Sequence, residues 1–282
     1  MIIYFVCEVL AICTKNLIMS YNPPCLCGGF FSCVRIFMRN VLVLVFFMTL
    51  DKTYSAVAHH FSQTRKKHWP EMDRIVRIVA SFCPVGASIV DLGCGDGRLL
   101  AALDKVSQEG SMNRLLQGVD FADGFVSLAR SHLPHLSIHH TDMLVYLSSQ
   151  DAHSLDCVVF LASFHHLLSQ KDQQVCLYHL ARVLKPGGLV CMVNWSMSPW
   201  FRKKYAGQIM LSVLRSLVTL GIHDWRCISI PYRVGGVSYP REYYLHDHDI
   251  LCDRCLQYGL YRRTFFDETF LNTRNMCLAF GI

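Results

Sequence analysis

The stretch Asp91-Leu-Gly-Cys-Gly-Asp-Gly97, set directly after the apolar run Ala87-Ser-Ile-Val90, decides how the rest of the chain is read. A buried strand that runs into three alternating glycines turns without Cβ atoms in the way, and leaves backbone N–H groups open to a nucleotide-like ligand. The spacing is G-x-G-x-G at Gly93, Gly95 and Gly97, with an acid, Asp91, ahead of the first glycine. Dinucleotide folds instead use G-x-G-x-x-G to bring a helix N-terminus up to a pyrophosphate. A triplet of this kind also fits a plain tight turn, so its meaning rests on the segments that follow.

Leu115-Leu-Gln-Gly-Val119 reads as a second short strand that ends in Asp120. A carboxylate at the tip of the second strand is placed to accept both hydroxyls of a ribose. Asp123, just beyond, suits the first turn of a helix, where negative charge meets the positive end of the dipole. Leu136-Ser-Ile138 leads into His139-His-Thr-Asp142; Asp142 either accepts from an exocyclic adenine amine or caps the helix from Met143 onward. Leu155-Asp-Cys-Val-Val-Phe-Leu161 is a fourth strand, ending at Ala162-Ser-Phe-His-His-Leu167. Lys185-Pro-Gly-Gly188 stops a helix carrying Val175, Leu177, Leu180 and Val183, and launches a fifth strand, Leu189-Val-Cys-Met-Val193. Strands alternating with helical stretches predict an α/β sheet with parallel strands.

Four of these segments, in this order, resemble the class I S-adenosylmethionine-dependent methyltransferases: Val90-Asp-Leu-Gly-Cys-Gly-Asp-Gly97, Gly118-Val-Asp120, the Asp142 position and Leu184-Lys-Pro-Gly-Gly188. The resemblance implies a Rossmann-like seven-stranded sheet, mostly parallel with one antiparallel closing strand and helices on both faces. It implies S-adenosyl-L-methionine as cofactor, held by Asp91, Gly93, Gly95, Gly97, Asp120, Asp142 and Phe164. A narrower likeness is to the wobble-uridine tRNA methyltransferases, which esterify a 5-carboxymethyl group on the anticodon base and occur in animals fused to a dioxygenase. It is carried by Phe61-Ser-Gln-Thr-Arg65, Trp69-Pro70, Phe164-His-His-Leu167, Arg241-Glu-Tyr-Tyr-Leu245 and Thr273-Arg-Asn-Met276. Two details depart from that family: Glu242 stands between the arginine and the paired tyrosines, and the glycine loop carries Asp96 and Arg98 where asparagine and lysine are common.

Methyl transfer from a sulfonium is an in-line displacement, so orientation of the acceptor is the main task. A carboxylate acceptor, as the narrower likeness implies, is already ionised at neutral pH and needs no strong general base. Arg65 and Arg241 are the candidates to grip it, since the fixed guanidinium fork suits a carboxylate, with Tyr243 or Tyr244 as a neutral partner. His165 and His166 follow the fourth strand; His165 is the candidate pocket residue and His166 the one that fixes the strand end. A methyltransferase for a small carboxylate or hydroxyl metabolite, and a cofactor-binding adaptor without turnover, are the alternatives.

The 282 residues, 52% apolar, suffice for one substantial core and exclude general disorder. Residues 51–282 read as the methyltransferase domain, and 196–245 as a substrate-side insertion or lid containing an amphipathic helix, Ile209–Leu220, while the strand pattern lapses. The helical stripe Ile250, Leu251, Cys255, Leu256 and Leu260 precedes two closing strands, at 261–266 and 276–280. Residues 1–50 form an apolar extension with only Glu8, Lys15, Arg35 and Arg39 charged. Its run Val41–Leu50 is too short to span a bilayer, which takes about 20 residues, and its start lacks the basic residues of a signal peptide. Stable membrane insertion is therefore not expected, and a start at Met48 would account for the change in composition.

The net charge of +6, with Arg65-Lys-Lys67, Arg202-Lys-Lys204 and Arg262-Arg263, fits a polyanionic partner such as tRNA. Of the 14 cysteines, Cys252 and Cys255 have C-x-x-C spacing with no second pair at zinc-ribbon distance, so one face of a helix is expected there and no metal. The tRNA family further implies a cytoplasmic or nuclear setting, and a small zinc-binding activator subunit as partner.

Overall fold

The computed structural model describes residues 53–55, 57–64, 69–195, 197–263 and 275–282. The readings placed on 1–50, on Arg65-Lys-Lys67 and on Thr273 and Arg274 lie outside these residues, as do the side chains of 275–277. Helix α1 (Pro70–Phe82) leads into strand β1 (Ser88–Leu92), whose four inner residues are buried. There follow α2 (Arg98–Glu109), β2 (Leu115–Asp120), α3 (Asp123–His132), β3 (Ser137–His140), α4 (Met143–Ser149), β4 (Leu155–Leu161), a 3₁₀ turn (Phe164–His166) and α5 (Gln170–Val183). Then come β5 (Leu184–Trp195), α6 (Pro199–Lys204), α7 (Ala206–Val218), β6 (Cys227–Val234), β7 (Val237–Tyr244), α8 (His248–Gln257), β8 (Tyr261–Arg262) and β9 (Asn275–Gly281).

Seven strands form one sheet in the order β3-β2-β1-β4-β5-β9-β8. The pairs from β3 to β5 are parallel, and β9 runs antiparallel between β5 and β8. This is the seven-stranded sheet with one antiparallel closing strand expected from the sequence. Both faces are covered because the strands alternate their side chains between two cores. Val158 and Phe160 face the core built with α4, α5 and α8, while Cys157 and Val159 face the one built with α1, α2 and α3. Strand order reverses at β1, which pairs with β2 on one side and β4 on the other, and a crevice opens beyond the carboxyl ends there.

Two expectations are corrected, and the Cys252–Cys255 pair is placed on a helix. β5 starts at Leu184 rather than Leu189, with a register shift against β4 between Leu155 and Cys157. Cys255 is buried on the inner side of α8, and no group of His, Cys, Asp and Glu able to hold a metal occurs among the described residues. The region after Trp195 is not free of strands: beyond α6 and α7 it holds the hairpin β6–β7, closed by Gly235 and Gly236 at φ +54° and +81°. Two adjacent positive φ values are what a tight two-residue hairpin turn demands. Pro231 and Pro240, which argue against central strands, stand opposite each other in this separate two-stranded ribbon. Among the described residues no helix is long and apolar enough to cross a membrane.

Candidate active site

The crevice deepens into a cavity of about 310 Å³ whose walls come from the ends of β1, β2, β4 and β5, from β7, and from the helical residues 53–55 and 57–64. At its floor the glycine loop does something other than present free amides. The N–H groups of Gly93 and Cys94 both donate to the Val119 carbonyl, at 2.7 and 3.0 Å, and that of Gly97 to the Cys94 carbonyl at 3.1 Å. Gly95 N–H donates to Asp120 Oδ2 at 2.9 Å. The glycines thus supply the bend rather than open donors, which corrects the expectation. A Cβ on Gly93, at φ +79°, would collide with the side chain of Ser163, whose hydroxyl donates to the Leu92 carbonyl and ties the end of β4 to the end of β1.

Asp120 lines the cavity, buried, and accepts from Gly95 and, through Oδ1, from Ala122 N–H at 2.9 Å. A carboxylate offers about four lone-pair sites, so acceptor capacity remains. Burial pushes its pKa up to about 6, against the opposing pull of those backbone donors. Asp91 is more deeply buried and its Oδ1 has no hydrogen-bond partner. Burial first, and the neighbouring Asp120 charge second, push its pKa up to about 8. A buried carboxylate oxygen without a donor, facing a cavity, is the kind of group that a bound cation completes.

Two predicted cofactor contacts fall elsewhere. Asp142 caps α4, its Oδ1 accepting from Leu144 N–H at 2.7 Å and Val145 N–H at 3.3 Å, and Met143 rather than Asp142 lines the cavity. Phe164 is fully buried, packed edge-on against Phe160 at 5.4 Å and tilted against His246 at 5.1 Å. The 3₁₀ turn sends Phe164 into the core and its neighbours Ser163, His165 and His166 into the cavity.

The opposite wall collects the acceptor-side candidates. Trp195 N–H donates to His165 Nδ1 at 3.3 Å, which assigns the proton of the neutral ring to Nε2. His166 has the other tautomer: Nδ1 lies 3.1 Å from the Glu242 carbonyl and must donate, so Nε2 accepts from the Tyr54 hydroxyl, also at 3.1 Å. Tyr243 stacks on Trp195 with centroids 4.4 Å apart and rings 12° from parallel. Arg241 is buried with its guanidinium 4.7 Å above the Tyr232 ring and 5.5 Å from the Tyr243 ring. Its Nε has no partner, and no carboxylate among the described residues pairs with it. Tyr244 is separated from this group. Successive residues of a strand point to opposite faces, so Arg241 and Tyr243 face the cavity while Tyr244 packs against His246 at 4.9 Å.

Several lining residues carried no signal in the sequence. Phe121, Phe125 and Trp195 read there as ordinary apolar positions and Phe61 only as part of the Phe61–Arg65 resemblance, and only the fold gathers them with Tyr54 around the cavity. The helical residues 57–64 are laid over the cavity by polar contacts: Ser62 Oγ donates to Asp96 Oδ2 at 2.6 Å, and His60 Nδ1 lies 3.0 Å from the Tyr232 hydroxyl.

A model of the family described as "Methyltransferase domain" matches residues 89–188, which hold the glycine loop, Asp91 and Asp120. The fold is that of the class I S-adenosylmethionine-dependent methyltransferases. The chain is 26% identical over 198 residues, 70% of its own length and 26% of the other's, to the tRNA (carboxymethyluridine(34)-5-O)-methyltransferase ALKBH8 of Mus musculus. It is 27% identical over 148 residues, 52% of its own length and 48% of the other's, to the tRNA (carboxymethyluridine(34)-5-O)-methyltransferase of Saccharomyces cerevisiae. The methyltransferase thus spans less than half of either relative. Among solved structures it shares its fold with the CcbJ methyltransferase of Streptomyces caelestis, with a TM-score of 0.58, 14% identity and coverage of 83% and 97% of the two chains. It shares it also with the methyltransferase in a complex with the Haloferax volcanii Trm112 activator, with a TM-score of 0.52, 18% identity and coverage of 83% and 97%.

Proposed function

We propose that this methyltransferase esterifies the carboxylate of a 5-carboxymethyl group on the wobble uridine of tRNA. The observation that carries the reading is Arg241, a buried guanidinium that faces the cofactor cavity with no carboxylate partner among the described residues. A cation held in that state is suited to an incoming anion, and its planar fork to a carboxylate. The likeness to the mouse and yeast enzymes gives the anion its identity.

S-adenosylmethionine supplies an electrophilic methyl group on a sulfonium. Asp120 is suited to accept from the ribose hydroxyls with the acceptor capacity that Gly95 and Ala122 leave it. Asp91, with its orphaned Oδ1, is suited to the cationic amino end. Arg241 orients the acceptor carboxylate, and Tyr243, held flat by Trp195, forms the wall against which it lies. Both neighbouring histidines are already engaged in hydrogen bonds, in keeping with a reaction that needs no proton removed. Arg65 remains a second candidate for the carboxylate, Tyr244 does not, and Asp142 and Phe164 support the site from outside the cavity wall.

Labelled S-adenosylmethionine offered with total RNA and, separately, with a small-metabolite extract tests the reading. Label in tRNA that is released by mild alkali, as an ester is, supports it. Label confined to a small metabolite transfers the proposal to a small carboxylate or hydroxyl acceptor, and cofactor binding without label in either pool identifies an adaptor. Association with tRNA is expected to weaken steeply as salt rises, because phosphate contacts release counterions. An activator subunit, as in the Haloferax complex, is the proposed protein partner in a cytoplasmic or nuclear setting; co-purification from native extract checks it.

A further inference from the structure

Helix α7 is attached by its back and bare on its front. Its one fully buried residue is Ser212, whose hydroxyl donates to the Cys227 carbonyl at 2.7 Å and lies 2.8 Å from His223 Nε2. The opposite side carries Met210, Leu211, Leu214, Leu217 and Val218, each between 51% and 83% exposed. At the 3.6-residue period of a helix these five fall on one arc of roughly 120°. Leu220, 82% exposed, extends the same surface past the helix end. A contiguous aliphatic surface of this extent marks an interaction site.

Its charge surroundings narrow the partner. From Pro199 to Ile222 every charged side chain is basic, namely Arg202, Lys203, Lys204 and Arg215, and all four are exposed. A second copy of the chain would bring these like charges together. RNA would meet the basic residues, yet Met, Leu and Val offer neither donors to phosphate nor rings for bases to stack on. An apolar stripe in a segment whose only charged side chains are cations complements a surface with an apolar interior and anionic headgroups.

We propose that α7, with the basic turn of α6 beside it, is a docking face for an anionic lipid surface. The helix lies in the headgroup region without crossing it; its 13 residues are too few to span. Trp200, Phe201 and Tyr205, which precede α7, line the cofactor cavity, so docking would hold the mouth of the active site beside the lipid. The apolar face itself is separate from the acceptor site proposed above, because none of the α7 residues named lines the cavity.

Flotation of the full chain with vesicles of neutral phosphatidylcholine, with and without phosphatidylserine, tests this. Binding is expected only with phosphatidylserine, is expected to fall as salt rises, and is expected to weaken on the order of tenfold or more in the double variant Leu214→Glu, Leu217→Glu. Unchanged cofactor affinity and circular dichroism in that variant show that its fold is intact. Absence of binding by the wild-type chain, equal binding to neutral vesicles, or full binding by the double variant overturns the proposal. So does a dimer in sedimentation that the double variant dissociates, which would assign the face to a second copy.

Discussion

Asp91 and Asp120 end neighbouring parallel strands with both carboxylates in one buried cavity, and the charge of Asp120 helps to keep Asp91 protonated. Asp91, raised to about 8 from 3.8, holds its proton in the free native protein where the unfolded chain has lost it. Between these values the native state binds more protons, so this residue makes the free protein less stable as pH rises from about 4 to about 8. A cationic amino group in contact with Asp91 favours the ionised form and expels that proton. Cofactor affinity is therefore expected to rise from pH 6 to pH 8, with proton release visible as a buffer-dependent calorimetric enthalpy. In Asp91→Asn the rise above pH 7 should vanish. A profile identical to wild type would separate Asp91 from the amino end.

Asp120 has two obligations, to the loop amide of Gly95 and to the proposed ribose. Asp120→Ala is expected to weaken cofactor binding by roughly 1–3 kcal/mol per lost hydrogen bond, on the order of 10- to 100-fold for the first of them. It should also lower the melting temperature, because the amides of Gly95 and Ala122 lose their acceptor. Asp120→Asn keeps one acceptor oxygen and should retain more of the stability than of the affinity. Calorimetry and thermal unfolding on both variants separate the two effects; unchanged affinity in Asp120→Ala would remove the residue from the ribose.

What is legible in the residues alone follows from the range of each interaction. The sheet is legible because β1, β2 and β4 are largely apolar segments that end beside polar residues, a local pattern. Asp91, Asp120, His165, Arg241 and Tyr243 stand out in the sequence, and the cavity brings them together. Between the alternatives Tyr243 and Tyr244 the residues alone do not choose, because nothing in the sequence reading marks the hairpin as strand. Once β7 exists, alternation alone puts Tyr244 on the other face. Phe164 is misplaced by one residue for a similar reason, since a short 3₁₀ turn decides which of three adjacent side chains enters the core. The aromatic wall and the His166–Tyr54 contact join residues 112 positions apart, and no spacing rule reaches that far.

A Cβ on Gly93 would overlap the Ser163 side chain, and the glycine's φ of +79° disfavours any side chain. Gly93→Ala is expected to cost about 2 kcal/mol or more, from left-handed backbone strain and from displacement of Ser163. Gly95, also at positive φ, has open space where a Cβ would point, and so an alanine there carries the strain without the collision. Chemical denaturation should therefore find Gly93→Ala less stable than Gly95→Ala; the reverse order would contradict the close packing of Ser163 against the loop.

Arg241 sits on the same wall as the histidines but touches neither of the two acids assigned to the cofactor, which allows binding and transfer to be separated. Arg241→Met keeps much of the length and apolar contact with Tyr232 while removing the charge. A charge-assisted bond to an acceptor carboxylate contributes roughly 1.5–3 kcal/mol, so transfer to RNA should slow on the order of 10- to 100-fold. Cofactor affinity should stay within about twofold of wild type, since no cofactor contact is removed. Arg241→Lys restores the charge without the planar fork and should recover only part of the loss. Single-turnover transfer of labelled methyl, measured beside cofactor titration, checks all three. Equal transfer rates in wild type and Arg241→Met would free the arginine from any role in positioning the acceptor, and a loss confined to cofactor affinity would move it to the other half of the site.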